Sequence, residues 1–201
     1  MHIGIDFDNT IADYDALFQR IGLDMGWLPT GFVGTKKDIR DTVRLLPAGN
    51  DKWTEMQALA YGPQMSQARI YEGVKDFMLR GLNGGHDLFI VSHKTRFAAA
   101  RPDGVDLRQA SLAWMEAQGF FSMLDRGNIF FESTRAEKCK RIAQLGCDLF
   151  IDDLEEVFDD AAFPSATRRL LFYSGPPPLP HGNFQVLTTW KEIGNAVFRS
   201  D

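Results

Sequence analysis

The chain has 201 residues, 44% of them hydrophobic and 24% charged, and carries a formal charge of -5 from 22 basic and 27 acidic side chains. That length suits one α/β domain with a modest insertion, and the composition excludes a disordered or fibrous protein. A net acidic chain gives no support to a general binder of nucleic-acid polymer or membrane surface, and no segment has the apolar length of a bilayer span.

In chain order, the first element is a strand, "HIGIDF" from His2, which runs straight on from Met1 with no basic region and no cleavage site, so no signal peptide is read. Residues 14–69 hold no convincing strand; "DALFQRIGLDMGW", "TKKDIRDTVRLL" and "DKWTEMQALAYG" look helical between turns. From Val74 onward apolar runs alternate with helical stretches. The runs are "HDLFIVSH" from His86, "NIFFES" from Asn128, "CDLFIDD" from Cys147, "RLLFYSG" from Arg169 and "FQVLTT" from Phe184. The helices begin near Val74, Asp106, Ala136 and Thr189. Continuous apolarity without alternation marks strands covered on both faces, and the βαβ order predicts a Rossmann-like, mainly parallel sheet. "SGPPPLPHG" at Ser174–Gly182 reads as a stiff surface loop. Cys139 and Cys147 are too few for a disulfide framework and form no CxxC zinc pattern, so a reducing cytoplasm is the expected setting.

Ligands of open parallel sheets bind beyond the carboxyl ends of the strands, where this chain places its reactive side chains. The first run ends in Asp6, Asp8 and Thr10; the second supplies Ser92, His93 and Lys94; the fourth supplies Asp152 and Asp153. Two aspartates two positions apart repel each other unless a proton or a cation intervenes. Thr134 and Glu137 form a T-x-x-E capping box that sets Lys138 in the first turn of its helix. Lys138 precedes Ile142 by four residues and so shares its sheet-facing side, whereas Lys140 and Arg141 point towards solvent. An acidic cluster with a hydroxyl and an ammonium suits a hard cation and a phosphate.

"DFDNT", "IVSHKT", the helical lysine and "FIDD", in that order, resemble the four motifs of the haloacid dehalogenase (HAD) superfamily. The resemblance implies a HAD α/β core, 1–13 and 70–201, with a small helical C1 cap at 14–69 inserted after the first strand. It implies Asp6 as nucleophile, Asp8 as general acid and then base, and an aspartyl-phosphate intermediate. Mg²⁺ would be held by Asp6, by the backbone carbonyl of Asp8 and by Asp153, with Asp152 beside them. Thr10 would support the turn of the first motif, and Ser92 and Lys138 would bind phosphate, with His93 and Lys94 as further substrate contacts. An acid two residues after the nucleophile favours phosphate over halide as leaving group. The expected activity is therefore hydrolysis of a small phosphorylated metabolite, a nucleotide or sugar phosphate. The same motifs also admit a non-catalytic domain that binds a phosphorylated ligand or partner, or a phosphotransferase or protein phosphatase. Arg40, Arg44, Arg69, Trp27 and Trp53 are the candidate selectivity residues of the insertion, and the oligomeric state is left open.

Overall fold

A computed structural model describes residues 1–173 and 183–198, so the loop expected at Ser174–Gly182 lies outside the described residues. Contacts divide the chain into two units: Met1–Ala12 with Ile70–Lys94 and Gly119–Asp201, and Asp13–Arg69 with Thr95–Gln118. In chain order the elements are β1 (His2–Ile5), β2 (Ala12–Asp13), α1 (Asp15–Asp24), α2 (Lys36–Arg44), α3 (Gly49–Tyr61), β3 (Arg69–Ile70), α4 (Val74–Asn83) and β4 (Asp87–His93). They continue with α5 (Leu107–Ala117), β5 (Ile129–Glu132), α6 (Arg135–Gln144), β6 (Leu149–Asp152), α7 (Glu155–Phe158), β7 (Arg168–Phe172), β8 (Gln185–Leu187) and α8 (Trp190–Val197).

The first unit is built on a six-stranded parallel sheet in the order β5-β4-β1-β6-β7-β8. Its central strand is also its first, so the chain builds outward on one side of β1 and then crosses to the other. The strand order reverses between β1 and β6, and ligands of such folds bind beyond the carboxyl edge of the sheet at such a switch. The apolar runs read from the sequence are these strands: Ile3, Ile5, Leu88, Ile90, Phe150, Ile151, Leu170 and Leu171 are all buried. One face packs Val91, Cys139, Ile142, Phe150, Val157, Phe158 and Leu171 together. On α4 and α8, the Phe77 and Trp190 rings meet edge to face at 5.0 Å. Gly4 is required in β1, because a Cβ there would lie 2.4 Å from the Phe150 ring of the neighbouring strand.

The second unit has its own interior. Phe18 stacks on Trp53 at 4.9 Å, the Tyr14 hydroxyl donates to Met65 Sδ, and Ile39, Val43 and Met56 are buried around them. The sequence reading assigns Thr95–Gln118 to the sheet domain, but the contacts group it with the insertion. Within that unit Trp114 Nε1 donates to the Ala68 carbonyl at 3.0 Å, and Arg101 pairs with Glu55. Among the described residues no helix is long and apolar enough to cross a membrane.

Candidate active site

The site begins where β1 ends. The Asp6 N–H donates to the Ile151 carbonyl at 2.8 Å, extending the parallel ladder one residue past the strand. The chain then turns back: the Phe7 carbonyl accepts the N–H groups of Ile11 and Ala12, both at 3.0 Å, and Asn9 sits at φ 60°. Asparagine is among the few non-glycine residues that adopt this left-handed conformation readily. Asp6 and Asp8 are thereby handed to different partners. Two further bonds brace the turn. Thr10 Oγ1 donates to Asp153 Oδ1 at 3.4 Å, and the Thr10 carbonyl accepts from Trp190 Nε1 at 3.0 Å.

The capping box expected for α6 is present, with Thr134 Oγ1 accepting the Glu137 N–H and Glu137 accepting the Thr134 N–H. It fixes the first turn so that Lys138 and Ile142 are buried while Lys140 is exposed. Lys138 Nζ lies 2.6 Å from Asp6 Oδ1 and 2.6 Å from Asp152 Oδ2, bridging the ends of β1 and β6. Burial alone would pull the Lys138 ammonium down, but the Asp152 and Asp6 carboxylates outweigh it and hold it above the ordinary lysine range. Burial pushes Asp152 up to about 7, with the Asp6 charge adding to the shift and Lys138 opposing it. Asp152 Oδ1 also accepts the Leu154 N–H at 3.1 Å, which fixes its orientation.

Alternation along β4 separates the residues of the second motif. Ser92 and Lys94 are buried, at 1% and 3% exposure, whereas His93 between them is exposed, with Nε2 3.1 Å from the Ser133 carbonyl. The Lys94 ammonium reaches back to the first loop, 3.0 Å from Asp8 Oδ1 and 2.8 Å from Asp8 Oδ2. Carboxylate oxygens of Asp6, Asp152 and Asp153 lie within 4.8 Å of one another. Three carboxylate oxygens this close are a donor set that a hard metal cation takes, so these residues fit one. Trp190 is the residue that the motifs do not reveal. A helical tryptophan ordinarily signals core, and only the topology brings its indole N–H to Thr10.

No protein-family model and no curated protein sequence matches the chain. Solved structures do, over nearly its full length. A HAD family hydrolase from Deinococcus radiodurans, with bound phosphate and sodium, matches with a TM-score of 0.58 and 16% identity, covering 98% of this chain and 94% of its own. A HAD hydrolase of family IA, variant 3, from Entamoeba histolytica matches with a TM-score of 0.62 and 10% identity, covering 96% and 94%. A predicted phosphoglycolate phosphatase from Haemophilus somnus matches with a TM-score of 0.55 and 13% identity, covering 98% and 97%. The chain has the fold of the HAD-superfamily hydrolases, and its acidic cluster stands at the carboxyl edge of that fold's parallel sheet.

Proposed function

We propose that the chain is a Mg²⁺-dependent phosphomonoesterase that hydrolyses a small phosphorylated metabolite, a nucleotide or sugar phosphate. The observation that carries this reading is the Lys138 bridge between Asp6 and Asp152 beside Asp153, with Asp8 held apart by its own lysine. An oxygen of Asp6 attacks phosphorus as the bond to the leaving oxygen breaks, and the broken bond's electron pair stays on that oxygen. Asp8 gives it a proton, so the alcohol departs neutral. Asp8 then takes a proton from water, whose oxygen attacks the phosphorus of the aspartyl phosphate. The Asp6 carboxylate is displaced and inorganic phosphate is released. Ser92 and Lys138 hold the phosphoryl oxygens as their charge shifts. Thr10 supports the turn through Asp153. Mg²⁺ bound by Asp6, Asp153 and the Asp8 carbonyl, with Asp152 alongside, would offset the repulsion between phosphate and the attacking carboxylate.

The phosphate-bound Deinococcus structure supports a phosphorylated substrate. We assign residues 14–69 as a selectivity module of the C1 type, which favours small substrates over proteins. Both cysteines are free and buried, which suits a reducing cytoplasm. The test is phosphate release from a panel of nucleotides, sugar phosphates and small phospho-acids, with Mg²⁺ or chelator, by the wild type and Asp6→Asn. Metal-dependent release that falls about 10⁴-fold or more in Asp6→Asn is the expected result. Equal rates in the two proteins remove Asp6 as nucleophile. Silence across the panel, with Mg²⁺ still raising Tm, favours the binding domain.

A further inference from the structure

We propose that Lys94 is a positioning residue, which holds the Asp8 carboxylate at the angle that proton transfer needs and does not bind the substrate phosphate. The proposal rests on the phosphatase reading above and assigns its second lysine a separate task. Lys138 is committed to the nucleophile side, between Asp6 and Asp152. Lys94 is committed to the acid side, with Nζ within 3.0 Å of both Asp8 oxygens.

The two partners differ in how firmly the fold holds them. Lys94 is anchored: it is 3% exposed, its N–H donates to the Glu132 carbonyl at 2.9 Å, and its ammonium lies 5.5 Å from the Phe7 ring centroid. The Phe7 ring is itself buried and meets Phe131 edge to face at 6.3 Å. Asp8 is half-buried and sits on a tight turn beside the left-handed Asn9. A short side chain on such a turn has several solvated rotamers open to it, and the ammonium selects one. Because Nζ reaches both oxygens, it can hold the group through whichever oxygen does not carry the proton. In the acid step the Asp8 O–H bond breaks and the proton passes to the leaving oxygen. In the base step water returns a proton to Asp8, and Lys94 keeps its own protons throughout.

The test compares Lys94→Met, Asp8→Asn and the double variant on the best substrate of the panel, with inorganic phosphate as competing ligand. Lys94→Met should lower kcat about 10- to 100-fold, as small misplacements of a reacting group do, and leave KM and the phosphate Ki within about twofold. In the Asp8→Asn background it should change kcat by no more than about twofold, because the group it positions is gone. Lys94→Gln, which keeps a donor, should lose less than Lys94→Met and replaces it if that variant does not fold. A rise in KM and in phosphate Ki with kcat retained overturns the proposal in favour of substrate binding. Equal losses in both backgrounds overturn it in favour of general packing, and wild-type kinetics overturn it outright. A wild type silent across the panel removes the phosphatase reading and this role together. Turnover that needs Asp6 but is indifferent to Lys94 removes this role alone.

Discussion

The sheet unit and the insertion unit spend their polar residues in opposite ways. At the carboxyl edge of the sheet, Asp6, Thr10, Ser92, Lys94, Lys138 and Asp152 are all buried. Among the described residues of the insertion unit the buried polar side chain is Ser111, which donates to the Leu107 carbonyl of its own helix. Three of its candidate selectivity residues have ordinary structural roles. Arg40 pairs with its neighbour Asp41, Arg44 ends α2 where a cation is favoured, and Trp53 is stacked in the core. Buried charge costs several kcal/mol per ion unless it is paired, so its concentration at this one edge among the described residues supports a functional role for that edge.

The sharpest way to break this contrast is Lys138→Met. It leaves the Asp6 and Asp152 carboxylates facing each other with no cation between them. In chelator, the loss of stability should be about 3–5 kcal/mol at pH 8, read from urea unfolding. The pH dependence has a definite sign. Asp152 is already raised, to about 7, so its folded-state value exceeds its unfolded one. Such a group contributes stability below its unfolded value and loses it as pH rises through the folded one. Removing Lys138 takes away the influence that opposes the rise, so the variant should weaken more steeply between pH 5 and pH 8 than the wild type. A variant as stable as the wild type at pH 8 would show that the bridge does not neutralise the edge.

A smaller effect is expected from Trp190→Phe, which keeps most of the apolar contact with Phe77 but removes the donor to Thr10. An unsatisfied buried carbonyl costs about 1–3 kcal/mol. Because Thr10 also touches Asp153, turnover should fall severalfold along with stability. Lost stability with unchanged turnover would make Trp190 a core residue only.

Trp190 also marks the limit of what one sequence discloses. The strands were legible because doubly covered strands leave continuous apolar runs, and α6 because its capping box is local chemistry. Lys138 could be chosen from the capping box and helix periodicity together, and it is buried between the two aspartates. The period of β4 also separates Lys94 from His93, since Lys94 shares a face with Ser92. Trp190 and Thr10 are 180 positions apart, and Thr95–Gln118 meets the insertion through contacts as distant in sequence as Trp114 to Ala68, 46 positions apart. No local pattern encodes either.

The gentlest probe lies in the insertion unit, where the contrast predicts only minor electrostatic strain. Asp15 opens α1; its Oδ1 accepts the Lys36 N–H at 2.8 Å and its own N–H donates to Asp13 Oδ1 at 2.9 Å. Burial raises its carboxyl above the ordinary value, the Lys36 N–H opposes that, and the Asp13 charge adds to it. The folded-state value again exceeds the unfolded one, so the contribution of Asp15 is present below about pH 4 and lost as pH rises through the folded value. Asp15→Asn keeps an acceptor for Lys36 and carries no charge to lose. Relative to the wild type it should gain a few tenths of a kcal/mol between pH 4 and pH 7.5, within the range of a half-exposed substitution. Urea midpoints at the two pH values measure the difference. Parallel pH profiles would show that Asp15 is not strained, and a gain above 1 kcal/mol would show that the insertion unit also stores buried-charge strain, which would narrow the contrast between the two units.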